Sequence, residues 1–200
     1  MSEKSYSVQT NSKIKSFKKT VYVDSDKSIS IRSFLIGSIS QGVSEINNAL
    51  ESEDIFSTID CLRKLGVKIK KIDKKKYIVF GKGLGSLFAK KNTILDCGNS
   101  GTLARLLIGI LSTTPNINLK ITGDKSLRKR KMLKLTNLMS RFGASFKNKM
   151  SYFPINIVSS SMPLGIYYKS DFSAQLKSAV ILAGLNSFGF TTIDEDKKNK

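Results

Sequence analysis

Histidine and tryptophan are absent from this 200-residue chain, and cysteine, proline and arginine are rare. Without histidine the chain has no imidazole for acid–base catalysis, no Ser-His-Asp triad and no copy of the commonest zinc ligand. Any chemistry must therefore use lysine, arginine, carboxylates, hydroxyls or backbone amides.

Cys61 and Cys97 are far apart in the sequence and form no CxxC motif, which favours free thiols in a reducing compartment over a disulfide framework. The first 19 residues lack the apolar centre of a secretory signal. An organellar transit peptide is an alternative that their serine content favours and their lack of arginine opposes. No apolar run reaches the roughly 18 residues of a membrane-spanning helix. We therefore expect a cytoplasmic protein with no membrane partner.

Acidic residues are also scarce. The chain has 34 Lys and Arg residues against 15 Asp and Glu, a net charge of +19, which favours anionic partners such as nucleic acid, acidic membranes or phosphorylated and carboxylated metabolites. Lysine is spread along the whole chain, whereas Arg32, Arg105, Arg128 and Arg130 lie in or beside segments rich in Gly, Ser and Thr. Because arginine offers a fixed fork of N–H groups to phosphate or carboxylate, we expect a site near these four.

The apolar pattern predicts an α/β domain. Helices are predicted after Asp26 (closed by Gly42), from Ser52 to Gly66, after the loop 98–102, at 131–142, and from Ser173. Strands are predicted at 20–23, 67–72, 77–80, 93–96, 118–122, 152–158 and 165–168, and near Phe190. A strand-helix-strand-helix-hairpin unit of roughly 70 residues occurs twice in this pattern and begins a third time. Because the third unit is incomplete, we expect the chain to be part of a longer protein.

Four segments at predicted helix starts carry residues suited to anion binding. They are 26–32, 98–102 with Arg105 close behind, 123–132 and 170–179. Taken singly, each is also consistent with an ordinary cap, a tight turn or a basic surface loop. Taken together, they would direct several helix N-termini, hydroxyls and cations into one cleft.

These segments read DKSISIR, LDCGNSGTLARLL, GDKSLRKRKM and SAQLKSAVILAGLN, and in this order and spacing they resemble the amino-terminal half of the 5-enolpyruvylshikimate-3-phosphate synthase family. The similarity runs from about Thr20 to Thr192. The related UDP-N-acetylglucosamine enolpyruvyl transferases are a poorer match, since they have Lys-Asn in place of Lys27-Ser28 and a reactive cysteine in a mobile loop.

The resemblance implies an enolpyruvyl transferase-like α/β fold of repeated βαβαββ units around a pseudo-threefold axis. Residues 20–200 would form the substrate-binding domain, residues 1–19 would belong with an absent second domain, and the third unit would be incomplete. The implied reaction transfers the enolpyruvyl group of phosphoenolpyruvate to the 5-hydroxyl of shikimate 3-phosphate and releases phosphate. It would need no metal or organic cofactor. The complete protein would be a cytoplasmic monomer that binds small anionic substrates and no nucleic acid, and this chain alone would turn over poorly or not at all.

The matching motifs also imply roles for single residues, with Lys27 as the catalytic residue. The implied ligands of shikimate 3-phosphate are Lys27, Ser28, Arg32, Ser173, Ala174 and Gln175. The implied ligands of phosphoenolpyruvate are Lys27, Asn99, Gly101, Arg130 and Gln175.

Some positions depart from the family pattern. Lys131 stands where the family has Pro, so Arg128 competes with Arg130 for its role. Ser25 and Ile31 replace the usual Gly and a common His. The family's acid–base carboxylates lie in the other half of the enzyme, and none of Glu53, Asp54, Asp124 or Asp171 is expected to replace them.

Two other hypotheses stay open. A basic α/β module could bind nucleic acid, as the charge favours, although scattered lysines and few clustered aromatic residues oppose it. A paralogue could keep the fold without catalysis.

Overall fold

The structure is a computed structural model that describes residues 23–147, 152–170 and 173–195. The predicted N-terminal segment 1–19, most of the predicted strand 20–23 and Asp171 lie outside the described residues. Within these ranges helices and strands are interspersed along the chain, in agreement with the predicted α/β class.

The first part of the fold is a three-stranded antiparallel sheet with two helices. Its elements are α1 (Lys27–Ile39), β1 (Gln41–Ile46), α2 (Glu53–Lys64), β2 (Lys68–Asp73) and β3 (Lys76–Lys82), with strand order β1-β3-β2. α1 starts directly after Asp26, as predicted. The Asp26 carboxylate caps the helix by accepting the Ile29 N–H at 2.6 Å. Gly66 follows α2 with a φ of +85°, the left-handed conformation that ends a helix.

Strand β1 is not predicted, and the expectation that Gly42 closes α1 is wrong. α1 ends at Ile39, the backbone becomes extended at Ser40, and Gly42 lies inside β1 with a φ of +92°. Only the last residue of β1, Ile46, is buried, so the strand lacks the alternation of apolar and polar residues by which strands are recognised.

The second part is a mixed four-stranded sheet with three helices. Its elements are β4 (Ile94–Asp96), α3 (Gly101–Thr113), β5 (Asn118–Thr122), α4 (Lys125–Arg128), α5 (Leu133–Arg141), β6 (Ser145–Phe146) and β7 (Ile155–Val158). The strand order is β4-β5-β7-β6; β4 and β5 pair in parallel and the other pairs are antiparallel. The strand predicted at 118–122 has the observed bounds, and that predicted at 152–158 is shorter, starting at Ile155.

The prediction misses α4 and β6, because a single turn and a two-residue strand are too short to show a period. α4 forms because the Asp124 carboxylate accepts the Leu127 N–H at 2.7 Å. The predicted helix at 131–142 begins instead at Leu133.

The third part consists of β8 (Tyr167–Lys169), α6 (Ala174–Gly184) and β9 (Thr192–Asp194), with β8 and β9 paired in parallel. Ser173 is the N-cap of α6, as predicted. The strand predicted near Phe190 begins two residues later, and Phe190 itself is almost fully exposed.

The parallel packing of α3 and α6 determines where the site lies. All residues of α3 except Arg105 are buried. Contacts between the two helices recur at intervals of one turn, joining Arg105 with Gln175, Gly109 with Ala179, and Thr113 with Ala183. The first turns of α3 and α6 therefore lie at the same end of the molecule.

Candidate functional site

Two predicted cations lie in the first turns of α1. Lys27 is the first residue of the helix, is about half exposed, and forms an ion pair with Asp54 of α2 at 3.1 Å. The Arg32 guanidinium donates to the Ser28 carbonyl at 3.1 Å and to the Ser178 hydroxyl of α6 at 3.3 Å. Lys27 thus ties α1 to α2, and Arg32 ties α1 to α6.

A tight turn leads into α3. Gly98 has a φ of +54°, and its N–H donates to the Asp96 carboxylate at 2.9 Å. The Ser100 hydroxyl caps α3 by accepting the Leu103 N–H at 3.3 Å. The Gly98 carbonyl accepts the Asp124 N–H at 2.9 Å, so the predicted segments 98–102 and 123–132 meet at this turn.

Gly101, the first residue of α3, lies between two guanidinium groups. A β-carbon built on Gly101 would stand 2.5 Å from Nη1 of Arg130 and 2.7 Å from Nη1 of Arg105. Arg105 also donates to the Gly101 carbonyl at 3.0 Å. Because glycine has no side chain, the guanidinium groups of Arg105 and Arg130 can both approach the first residue of α3.

Arg130 reaches this turn and Arg128 does not. Arg130 donates to the Asn99 side-chain oxygen at 3.0 Å. The Arg128 Nε donates to the Gly123 carbonyl at 2.8 Å, which keeps this side chain on its own loop. Although Lys131 stands where the family has Pro, it is Arg130 and not Arg128 that contacts this turn.

Neutral oxygens hold both guanidinium groups. Arg105 donates to Gly101 and Gln175, and Arg130 donates to Asn99. Within 23–147, 152–170 and 173–195, the ion pairs involve other cations. Burial lowers the pKa of the Arg105 guanidinium, and the nearby charge of Arg130 lowers this pKa further. Two like charges held close together with neutral partners favour the binding of an anion between them.

The start of α6 completes the group around Arg105. Gln175 accepts a hydrogen bond from Arg105 at 2.9 Å through Oε1, and its Nε2 donates to the Thr102 hydroxyl at 3.0 Å. The Ser173 hydroxyl caps the helix by accepting the Leu176 N–H at 3.4 Å.

The predicted site residues fall into two adjoining groups. Asn99, Gly101, Arg130 and Gln175 are joined through Arg105. Lys27, Ser28 and Arg32 share the start of α1, and Arg32 is joined through Ser178 to the Ala174 carbonyl, which accepts the Ser178 hydroxyl at 2.9 Å. Ser173 immediately precedes Ala174 and caps the same helix. All the predicted residues thus lie in or beside the first turns of α1, α3 and α6, or on the loop that carries Arg130.

Sequence reasoning gave no ligand role to Arg105, Thr102, Ser178 or Asp54. Arg105 follows Gly101 by one helical turn, which is a usable signal, because residues at this spacing share a helix face. Asp54 is explained equally well as an ordinary first-turn carboxylate. The two hydroxyls carry no sequence signal, since their contacts join segments about 70 or more positions apart in the chain.

The two groups form one wall of a site rather than a closed chamber. Asn99 and Arg130 are exposed. A cavity of about 520 Å³ lies beside the same turn, but Asp96, Gly98, Asp124 and residues of α2 line it, and neither Arg105 nor Arg130 does.

In the part of the chain that the structure describes, no three His, Cys, Asp or Glu side chains are grouped so that they could hold a metal ion. None of the described helices is both long enough and apolar enough to cross a membrane.

Comparison with known proteins gives a consistent match. The family model of EPSP synthase (3-phosphoshikimate 1-carboxyvinyltransferase) matches residues 11–199. The curated 3-phosphoshikimate 1-carboxyvinyltransferase of Desulforamulus reducens is 39% identical over 184 residues, which cover 91% of this chain and 42% of the relative. That of Caldicellulosiruptor saccharolyticus is 45% identical over 178 residues, which cover 88% of this chain and 40% of the relative.

A solved structure of EPSP synthase from Acinetobacter baumannii has a TM-score of 0.79 at 34% sequence identity, covering 88% of this chain and 40% of that one. The chain therefore spans about two fifths of the length of the relatives that it matches.

Proposed function

Because the chain belongs to the EPSP synthase family, we propose that it binds shikimate 3-phosphate and phosphoenolpyruvate as the substrate-binding domain of a 3-phosphoshikimate 1-carboxyvinyltransferase. In this proposal residues 20–200 form that domain and residues 1–19 belong with a second one. The complete enzyme would act in the cytoplasm as a monomer and would need neither a metal ion nor an organic cofactor.

The proposed reaction is an addition followed by an elimination. The 5-hydroxyl oxygen of shikimate 3-phosphate forms a bond to C2 of phosphoenolpyruvate while the methylene carbon takes up a proton and the hydroxyl loses one. The tetrahedral intermediate then loses phosphate, and the new methyl group gives up a proton as the double bond returns. The products are 5-enolpyruvylshikimate 3-phosphate and phosphate.

The observation that carries the proposal is the pair of guanidinium groups around Gly101. Arg105 and Arg130 meet at the N-terminus of α3, where helix amides also favour negative charge, and among the described residues their partners are neutral oxygens. Phosphoenolpyruvate carries a phosphate and a carboxylate, and two arginine forks suit such a ligand better than isolated lysines.

On the phosphoenolpyruvate side, Arg130 would clamp the ligand while Asn99 and Gly101 shape the turn beneath it. Gln175 would reach both substrates from α6. Lys27 would contact both substrates from α1 and stabilise the charge that develops as the C–O bond to phosphate breaks.

On the shikimate 3-phosphate side, Ser173 and the backbone amide of Ala174 would hold the phosphate at the start of α6. Ser28 and Arg32 would hold the ring and its carboxylate. The contact between Arg32 and Ser178 supports this division, since it places the Arg32 guanidinium beside the first turns of α6.

Acid–base catalysis is not expected from this chain alone. Asp54 is paired with Lys27, and the Asp124 carboxylate caps α4. We therefore expect substrate binding with little or no turnover by the 200-residue chain, and steady-state phosphate release by it would contradict this expectation.

Calorimetric titration with shikimate 3-phosphate and with phosphoenolpyruvate tests the proposal, with Arg130→Ala and Arg128→Ala as a matched pair. Both variants lose one arginine from the segment 123–132, but only Arg130 contacts Asn99 and Gly101. We expect Arg130→Ala to weaken phosphoenolpyruvate binding about tenfold or more, the effect of losing one or two charge-assisted hydrogen bonds. Arg128→Ala should change binding less than about twofold.

The same titrations separate the alternative hypotheses. Equal losses in the two variants, together with steep salt-dependent binding to any DNA duplex, would support a nucleic-acid-binding module instead. Specific binding of both substrates, without turnover when the second domain of an EPSP synthase is supplied, would indicate a paralogue that has lost catalysis.

A further inference from the structure

The orientation of the Gln175 side-chain amide follows from its two neighbours. A guanidinium carries only N–H donors, so the Gln175 atom that faces Arg105 at 2.9 Å must be the oxygen. The Gln175 nitrogen then faces the Thr102 hydroxyl at 3.0 Å, and that oxygen must accept its N–H. The hydrogen bonds thus run in one direction, from Arg105 to Gln175 to Thr102.

Thr102 is well suited to be the fixed end of this series. It is the second residue of α3 and only 8% exposed, and its branched side chain has few rotamers in a helix. Gln175 has a longer and more flexible side chain. With a hydrogen bond to Arg105 alone, the Gln175 amide could still rotate about that bond. The second hydrogen bond, to Thr102, fixes the orientation of the amide plane.

The clamped amide in turn anchors Arg105. In the described part of the chain Arg105 has two acceptors, Gln175 and the Gly101 carbonyl, and both are neutral. Arg105 therefore stays close to Arg130, despite the repulsion between the two charges, and keeps its full positive charge for a ligand. A carboxylate in the place of the amide would hold Arg105 equally well but would cancel that charge.

On the basis of the proposed function, we propose that Thr102 is a positioning residue that clamps the Gln175 amide, and through it the Arg105 guanidinium, in the arrangement that binds the anionic substrates. In this arrangement the second N–H of Gln175, which takes no part in the clamp, would be the one that donates to a substrate oxygen.

Three variants test this role. Thr102→Val keeps the side-chain shape without the acceptor, Thr102→Ala removes the acceptor without adding bulk, and Thr102→Ser keeps the hydroxyl. The chain contains only three glutamines, Gln9, Gln41 and Gln175, so its glutamine side-chain amides give three pairs of signals in a nitrogen-15 NMR spectrum. The pair that disappears in Gln175→Glu belongs to Gln175.

We expect Thr102→Val and Thr102→Ala to shift or broaden the Gln175 pair and to weaken phosphoenolpyruvate binding about fivefold, the effect of losing one hydrogen bond. Thr102→Ser should keep both the signal and the affinity within about twofold of the original chain. Thermal unfolding of each variant shows whether any loss of affinity merely follows a loss of stability.

The proposal fails if the Gln175 signals are the same in Thr102→Val, Thr102→Ala and the original chain, or if Thr102→Ser loses as much affinity as the other two. Failure of the proposed function looks different. In that case the original chain binds neither phosphoenolpyruvate nor shikimate 3-phosphate, and the Gln175 signals alone decide whether Thr102 clamps the amide.

Discussion

Gly109 of α3 lies against the backbone of Ala179 of α6, so closely that a β-carbon on Gly109 would stand 2.6 Å from the Ala179 carbonyl oxygen. The contact is one helical turn beyond the hydrogen bond between Arg105 and Gln175. Close packing at this glycine therefore sets the distance across which the two site residues meet.

Replacing Gly109 with alanine should destabilise the protein and loosen the site together. The added methyl group would have to push two buried backbones apart, which we expect to cost about 1–3 kcal/mol in the free energy of unfolding. Gly37→Ala is the matched control, since a β-carbon on this helical glycine meets its nearest neighbour, in Ser44, at an ordinary 3.4 Å. Urea denaturation should show that Gly37→Ala leaves the free energy of unfolding unchanged or raises it by up to about 1 kcal/mol. Equal destabilisation by the two changes would contradict this account of the helix contact.

Asn99→Asp should weaken anion binding without disturbing the fold. The new carboxylate would pair with the Arg130 guanidinium, which now donates to a neutral oxygen at 3.0 Å. Because an exposed ion pair contributes about 1 kcal/mol or less, we expect a loss of up to about fivefold in phosphoenolpyruvate affinity, measured by calorimetry.

Asn116→Asp is the control for that experiment. It makes the same change of charge and shape at an exposed loop position beyond the C-terminal end of α3. If the two variants lose affinity equally, only the net charge of the chain matters, and the neutrality of the oxygen beside Arg130 does not.

The sequence predicts the fold best where the elements are long and regular. α1, α2, α3 and α6 begin close to the predicted positions, because each has a clear apolar pattern and a capping or small residue before it. The family resemblance drawn from four motifs is confirmed by the family match and by the TM-score of 0.79. β1 could not be predicted, since its exposed residues show no strand pattern.

The candidate site was predictable in its segments but not in its contacts. Local motifs place Asn99, Gly101, Arg130 and Gln175 at helix starts or on the loop before α5. The hydrogen bond between Gln175 and Thr102 joins residues 73 positions apart, and no local pattern in either segment records it. The same limit hides the ion pair between Lys27 and Asp54.

Asp54→Asn should impair substrate binding more than Glu53→Gln. Both changes remove one negative charge from the first turn of α2, but only Asp54 contacts the Lys27 ammonium, at 3.1 Å. Without that contact the lysine samples more conformations, so we expect shikimate 3-phosphate to bind up to about fivefold more weakly than in Glu53→Gln. Calorimetric titration measures the difference, and identical affinities in the two variants would show that Asp54 does not position Lys27.

We expect the protein to lose stability at acidic pH as the Glu51 carboxylate becomes protonated. Its carboxylate pairs with Lys71 at 2.7 Å and accepts the Lys75 N–H at 3.1 Å and the Tyr77 hydroxyl at 3.0 Å. These hydrogen bonds, that of Lys71 foremost, lower the pKa of Glu51 from 4.5 to about 2. Because the folded-state pKa is the lower one, the stabilisation is complete above about pH 4.5 and is lost as the pH falls towards 2. Urea denaturation of the original chain and of Glu51→Gln should therefore show a difference in unfolding free energy that is constant near neutral pH and shrinks below about pH 4.5. A difference that stays constant down to about pH 3 would show that the Glu51 carboxylate gains nothing from its three partners on folding.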